Sequence, residues 1–96
     1  MEKSIENIAK FEEVAELLKV IAHPVRLCIV NGLLEKGTCN VSFIQNCLDT
    51  PQSTISQHLQ RLRSAGIVEG KRVGTEIYYS ISNKRIANLV KDLLNE

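Results

Sequence analysis

The stretch Thr50–Val68, TPQSTISQHLQRLRSAGIV, constrains this chain more than any other segment. Thr50 suits a helix N-cap, Pro51 suits the first helical position, where a missing N–H costs nothing, and Gly66 supplies a stop. Between those signals Ile55, Leu59 and Leu62 recur at helical spacing, so one stripe of a short helix is apolar and must turn toward a core. At about 100° per residue, Ser53, Ser56, Gln57, Gln60 and Arg61 then fall on the far side. A solvated helix face ordinarily mixes Glu with Lys. This face offers hydroxyls, amides and a guanidinium, the donors and acceptors that pair with base edges and phosphates.

The flanking segments say what carries that helix. Ile5, Ile8, Phe11, Val14, Leu18 and Ile21 step by three or four, an amphipathic helix over about 5–21. Ala15, Leu17 and Val20 add a second apolar strip, a surplus that a partner chain is expected to cover. His23-Pro24 interrupts the pattern, and Pro24 opens a second helix running through Leu34. Val25, Leu27, Cys28, Ile29, Val30, Leu33 and Leu34 leave it little polar surface, so it is expected at the centre of the core, Cys28 included, with Gly37 ending it.

Val41–Leu48 reads as a short third helix, and Asp49-Thr50-Pro51 as a tight polar turn into the fourth, a helix-turn-helix over about 41–65. After Gly66 the period changes. Ile67–Val73 and Glu76–Ile81 read as two strands around Gly74-Thr75, a wing over about 67–81 with a basic arm. Ser82 or Asn83 caps a last helix over about 83–94 carrying Ile86, Leu89, Val90, Leu93 and Leu94. The expected fold is mainly α with a small β part (α+β): one winged helix-turn-helix domain over residues 1–96, in the order α-α-α-α-β-β-α, with an extra helix at each end.

A chain of 96 residues builds only a modest core, which a second copy would help. Its net charge of +1 speaks against a nucleic-acid partner until the distribution is read. Residues 51–82 hold Arg61, Arg63, Lys71 and Arg72 against Glu69 and Glu76, a net +2, whereas residues 1–20 carry a net −2. Lys71 and Arg72 read either as phosphate contacts or as a charged strand edge that discourages aggregation. Three cysteines without a framework of spacings, no apolar run near a bilayer span and no secretory order in MEKSIEN point to the cytoplasm. No carboxylate pair, phosphate loop, nucleophile elbow or Cys-His arrangement indicates an enzyme.

His58 sits at the core edge of the fourth helix, where packing or hydrogen bonding suits it, and Tyr78 and Tyr79 suit wing and core packing. Cys39 falls in the turn before the third helix and Cys47 near its end, about 12 Å apart by helical rise, so a disulfide between them would distort the helix-turn-helix. That pair reads either as an oxidation switch or as small apolar packing.

Nearly the whole chain resembles the ArsR/SmtB family of bacterial repressors, through AHPVRLCIVNGLL, QSTISQHLQRLRSAGIV and EIYYSI. Within that family NVSFIQNCLDTPQSTISQHL looks most like the PagR-type members that lack a metal site. The resemblance implies a homodimer joined through the first and last helices, with Ile5, Ile8, Phe11, Ile86, Leu89, Val90 and Leu93 as expected contacts. It implies a sequence-specific repressor bound to a palindromic operator in double-stranded DNA. The expected DNA contacts are Gln52, Ser53, Thr54, Ser56, Gln57, Gln60 and Arg61 on the fourth helix and Lys71, Arg72 and Thr75 on the wing.

Family metal sensors carry Cys-x-Cys at the third helix, where this chain has Asn40 and Ser42; others place Asp and His on the last helix, where it has Asn83, Lys84 and Arg85. No metal or other cofactor is therefore expected, and neither a small-molecule ligand nor a membrane is indicated. Thiol-sensing members pair cysteines of the second and last helices. The last helix here has none, so a redox-switched repressor would have to use Cys39 and Cys47. A winged helix that docks proteins without reading sequence is the remaining alternative, though the Gln and Ser face favours base readout.

Overall fold

A computed structural model describes residues 4–95, with side-chain surroundings from residue 7 onward. These residues form α1 (Ser4–Ile21), α2 (Pro24–Lys36), β1 (Cys39–Asn40), α3 (Val41–Leu48), α4 (Gln52–Ser64), β2 (Val68–Val73), β3 (Glu76–Ile81) and α5 (Lys84–Leu94). Local chemistry explains most boundaries. His23 caps α2 by accepting the Val25 N–H on Nδ1 at 3.1 Å. Asn40 caps α3 through the Phe43 N–H at 2.9 Å, and Asn83 caps α5 through the Ile86 N–H at 3.0 Å. Ser82 has a different task, donating its hydroxyl to the Gly66 carbonyl at 2.9 Å.

Gly66 closes α4 as its position predicts. At φ 75° its N–H donates to the Arg63 carbonyl at 3.0 Å, while the Ile67 N–H reaches back to the Leu62 carbonyl at 2.9 Å. These two bonds make a Schellman cap, which requires the left-handed conformation that glycine adopts without a Cβ penalty. The start of α4 differs from expectation. Thr50 donates its hydroxyl to the Leu48 carbonyl at 3.0 Å instead of capping, and Pro51, at ψ 145°, stands outside the helix. Asp49, left-handed at φ 52°, has already turned the chain, so Thr50 serves the end of α3 and α4 begins without a side-chain cap.

The wing gains a strand. β1 pairs antiparallel with β3, Cys39 opposite Tyr79 and Asn40 opposite Tyr78, giving the sheet order β1-β3-β2. Cys39 is thus a buried strand residue and not part of a free turn. Val73 pairs with Glu76 across Gly74-Thr75, with Gly74 at φ 67°, as a two-residue hairpin turn requires.

The core gathers Ile29, Val30 and Leu33 of α2, Ile44 of α3, Ile55, Leu59 and Leu62 of α4, Ile67, Val68 and Tyr79 of the wing and Ile86 and Val90 of α5. Two expectations change here. Ile86 and Val90 are buried within their own chain, so they are core and not contacts for a partner; Leu93 and Leu94 are the exposed members of that helix's apolar set and Leu89 is half-buried. On α1 both apolar strips are divided between core and surface. Leu17 and Val20 of the second strip pack against the core with Ile21 of the first, whereas Ile8, Phe11 and Leu18 of the first strip are exposed, as is Ala15 of the second. Ile5 lies outside the residues whose side chains are described. Among the described residues no single helix is long and apolar enough to cross a membrane.

Replacing Gly66 by Ala should lower the free energy of unfolding by about 1–2 kcal/mol, the cost of a Cβ in the left-handed region. Urea denaturation should show a lower midpoint at unchanged slope. An unchanged midpoint would mean that the cap at Gly66 is not formed in solution.

Candidate nucleic-acid interface

Helix α4 is divided cleanly. Ile55, Leu59 and Leu62 have no exposed surface, while Gln52, Ser53, Ser56, Gln57, Gln60, Arg61 and Arg63 are exposed and Thr54 is half-buried. None of the exposed polar side chains of this helix bonds to another part of the described chain. Elsewhere polar side chains are spent on structure: His23, Asn40 and Asn83 on caps, Thr50 and Ser82 on carbonyls. The outward row of α4 is therefore a set of donors and acceptors held on a rigid element and left unused, which is what base readout in a major groove demands.

The missing cap adds to this surface. With no side chain on its first-turn N–H groups and no acidic residue in that turn, the N-terminus of α4 keeps its partial positive charge available to a phosphate. Arg61 and Arg63 supply full charges in the last turn. They are not equivalent. Arg61 lines a cleft of about 580 Å³ between α1 and α4 together with Glu13, Glu16 and Asn83, which puts it at the edge of the reading row.

Lys71, Arg72 and Thr75 stand exposed toward the hairpin end, Lys71 opposite Tyr78 and Arg72 opposite Ile77. The arm is narrowed where Gly70 lies beneath its cross-strand neighbours: a Cβ there would come within 2.9 Å of Ile77 Cγ2 and 3.1 Å of Tyr79 Cε1. Tyr79 is buried and Tyr78 half-buried, so both pack, as expected.

His58 does more than fill space. Its Nδ1 accepts from Nε of Arg26 at 3.1 Å, and its ring lies 4.5 Å from that of His23. Burial holds its pKa below the usual 6.5, with the charges of His23 and Arg26 acting in the same direction. Arg26 was missed at the level of sequence because its partners are Val20 and His58, the latter 32 positions away.

The cysteines also come together in a way that spacing conceals. Cys28, Cys39 and Cys47 all line one cavity of about 50 Å³ between α2 and α3, with Ile29, Gly32, Leu33, Phe43, Ile44 and Leu48. Cys28 is exposed and not core. Because Cys39 belongs to β1 and not to the helix, helical rise does not measure its separation from Cys47. Burial raises the pKa of Cys39, and the neighbouring Cys47 adds to that rise. Asn40, at a family metal position, is occupied twice over, by the α3 cap and by a hydrogen bond from Nδ2 to Oε1 of Glu76. Among the described residues no group of three or more His, Cys, Asp or Glu side chains is placed to hold a metal ion.

Known proteins share this arrangement. A helix-turn-helix domain family matches residues 21–71. The transcriptional repressor PagR of Bacillus anthracis is 49% identical over 84 residues, covering 88% of this chain and 83% of PagR. Its crystal structure agrees with a TM-score of 0.81 at 45% identity, over 90% of this chain and 98% of that one. The repressor SmtB of Mycobacterium tuberculosis is 42% identical over 77 residues, and the match spans 80% of this chain but 56% of SmtB. The solution structure of the homodimeric winged helix-turn-helix DNA-binding domain of Mb0332 from Mycobacterium bovis, described as a possible ArsR-family regulator, has a TM-score of 0.84 at 32% identity, covering 97% and 85% of the two chains. The exposed polar row on a buried apolar spine, the adjoining basic hairpin and these likenesses lead to one assignment: the chain belongs to the ArsR/SmtB family of winged helix-turn-helix transcriptional repressors.

Proposed function

We propose that this protein is a homodimeric, sequence-specific repressor that acts in the cytoplasm on a palindromic operator without a metal. The observation that carries the reading is the unspent polar row of α4, with Ser53, Ser56, Gln57 and Gln60 exposed beside an uncapped helix start. Each α4 enters a major groove, Gln57 and Gln60 contact base edges, and Gln52, Thr54, Arg61, Arg63, Lys71, Arg72 and Thr75 serve the flanking backbone. Two-fold symmetry then sets half-sites about 34–36 Å apart, one helical turn of DNA.

Dimerisation is supported by what a single chain leaves uncovered. Phe11 is 53% exposed and Leu93 66%, and Ile8, Leu18 and Leu94 are exposed with them on α1 and α5. The radius of gyration, 14.8 Å, exceeds the about 12.5 Å of a compact chain of this length, as expected of a protomer that finishes its packing against a copy. The metal-free reading is supported by Asn40 and Asn83, which cap helices at family ligand positions, and by Lys84 and Arg85, which repel a cation.

Ala at Gln57 or Gln60 should cost about 1–3 kcal/mol on the protein's own operator and relax preference at one base pair. Ala at Lys71 or Arg72 should weaken every duplex alike and flatten the salt dependence. Fluorescence anisotropy on operator and random DNA separates the two. Equal losses on both duplexes for the glutamines would refute base readout and favour a docking module.

One observation favours a second layer, a thiol switch: Cys39 and Cys47, which the sequence separates, line a single cavity with the exposed Cys28. Buried Cys39 is a poor nucleophile, so the exposed Cys47 thiolate attacks first. With hydrogen peroxide it forms a sulfenic acid and releases hydroxide; the Cys39 thiol then displaces water to give the disulfide. The bond would pull α3 against β1 and disturb the support of α4. Stoichiometric peroxide should abolish operator binding, dithiothreitol should restore it, and Cys47→Ser should be indifferent; undiminished binding by fully oxidised protein would sink the switch.

A further inference from the structure

Three basic side chains meet where the end of α1, the start of α2 and the flank of α4 converge. Nη1 of Arg26 donates to the Val20 carbonyl in the last turn of α1 at 3.0 Å, and its Nε donates to Nδ1 of His58 on α4 at 3.1 Å. His23 caps α2 through its own Nδ1 and sets its ring 4.5 Å from that of His58, tilted by 52°. One guanidinium thus ties the helix that ends at Val20 and Ile21 to the helix that carries the reading row. Its planar fork allows this; a lysine ammonium on a flexible stem would not hold both angles.

The apolar spine Ile55, Leu59 and Leu62 sets the depth of α4, but dispersion and apolar burial are not directional and tolerate small rotations about the helix axis. A hydrogen bond at 3.1 Å to one ring nitrogen is directional. His58 adjoins Gln57 in sequence, so the azimuth that satisfies Arg26 also fixes where Gln57 and Gln60 point.

We propose that Arg26, acting through Nδ1 of His58, is a positioning residue that sets the rotation of α4 and thereby its sequence discrimination on DNA. The proposal rests on the reading of α4 as the helix that enters the major groove. It makes discrimination depend on the protonation of His58. The bond from Arg26 requires an unprotonated Nδ1, hence a neutral ring with its proton on Nε2. Adding a proton replaces the acceptor by a donor facing another donor and sets two cations together.

The groups that face His58 all disfavour the imidazolium. His23 and Arg26 approach it from the start of α2, and α1 presents the Val20 carbonyl, already taken by Arg26. Glu13 and Glu16 of α1 line the cleft with Arg61, one helical step beyond, and among the described residues no carboxylate bonds to either imidazole or to Arg26. Because the folded arrangement lowers the proton affinity of His58, its contribution is complete above the ordinary 6.5 and is lost as pH falls through the lowered pKa of the folded protein.

The test is the ratio of operator to random-duplex affinity, which cancels the general gain in phosphate attraction on acidification. As pH falls from about 7.5 through the lowered pKa of His58 the ratio should fall about tenfold in the wild type, the scale of one hydrogen bond to a charged group. His58→Asn keeps an acceptor near the place of Nδ1 and cannot be protonated there, so its ratio should stay within about twofold. Arg26→Met keeps the stem and removes the donors, and should start about tenfold lower at pH 7.5 and fall no further. Nitrogen NMR of the His58 ring in the free protein should report the Nε2–H tautomer in the wild type and a mixture in Arg26→Met. A pH-independent ratio in the wild type, or the same profile in His58→Asn, overturns the proposal even where Arg26→Met fails to fold. Absence of operator preference at every pH, with the Arg26-dependent tautomer intact, would instead count against the DNA reading itself.

Discussion

The burial of Ile55, Leu59 and Leu62 is the condition on which the functional surface rests. A helix of 13 residues is marginal by itself, and α4 has neither a side-chain cap at its start nor pairs of opposite charge along its outer face. Three aliphatic side chains at zero exposure supply what it lacks, each contributing about 1.5–3 kcal/mol in the core that α4 shares with α1, α2, α3 and β2. Tertiary packing therefore relieves the outer face of any structural duty. Serine, a weaker helix former than the glutamines beside it, can be placed there because the helix does not depend on it.

The same economy runs through the other polar groups. Those that cap or bridge are tied down at the seams between elements: His23 at the start of α2, Asn40 between β1 and α3, Asn83 at the start of α5, Arg26 between α1 and α4. Those that face outward on α4, with Lys71, Arg72 and Thr75 on the hairpin, make no bond to the rest of the described chain. A surface that recognises another polymer needs this separation, since a donor already satisfied inside the protein has nothing left to offer a base. Arg26 and His58 stand at the boundary, bonded to structure yet set on the flank of the reading helix.

Much of this was legible from local pattern. The span of α3, the Gly66 stop, the apolar spine of α4, the strands about Gly74-Thr75 and the capping role open to Asn83 all follow from residue type and period over a few positions. What misled was competition between neighbouring elements. Thr50 has the chemistry of an N-cap, but the left-handed Asp49 ends α3 in such a way that the hydroxyl turns back to Leu48. On α1 both strips have helical period, and only the place where α2 and α4 lie decides that Leu17 and Val20 go inward while Ile8 and Phe11 stay outside.

By itself, then, the sequence determined the elements, their order and the presence of a polar face without structural employment, because these depend on interactions within a turn or two of helix or along one strand. Only the tertiary structure decided the rest. β1 is two residues long and exists because β3, far along the chain, lies beside it; Ile86 and Val90 belong to the core because α5 folds back on α2. The three thiols share a cavity, and Arg26 reaches His58, for the same reason. Each depends on a distance between segments remote in sequence, and such distances are set by how the apolar faces of several elements close together, which no short window of residues contains.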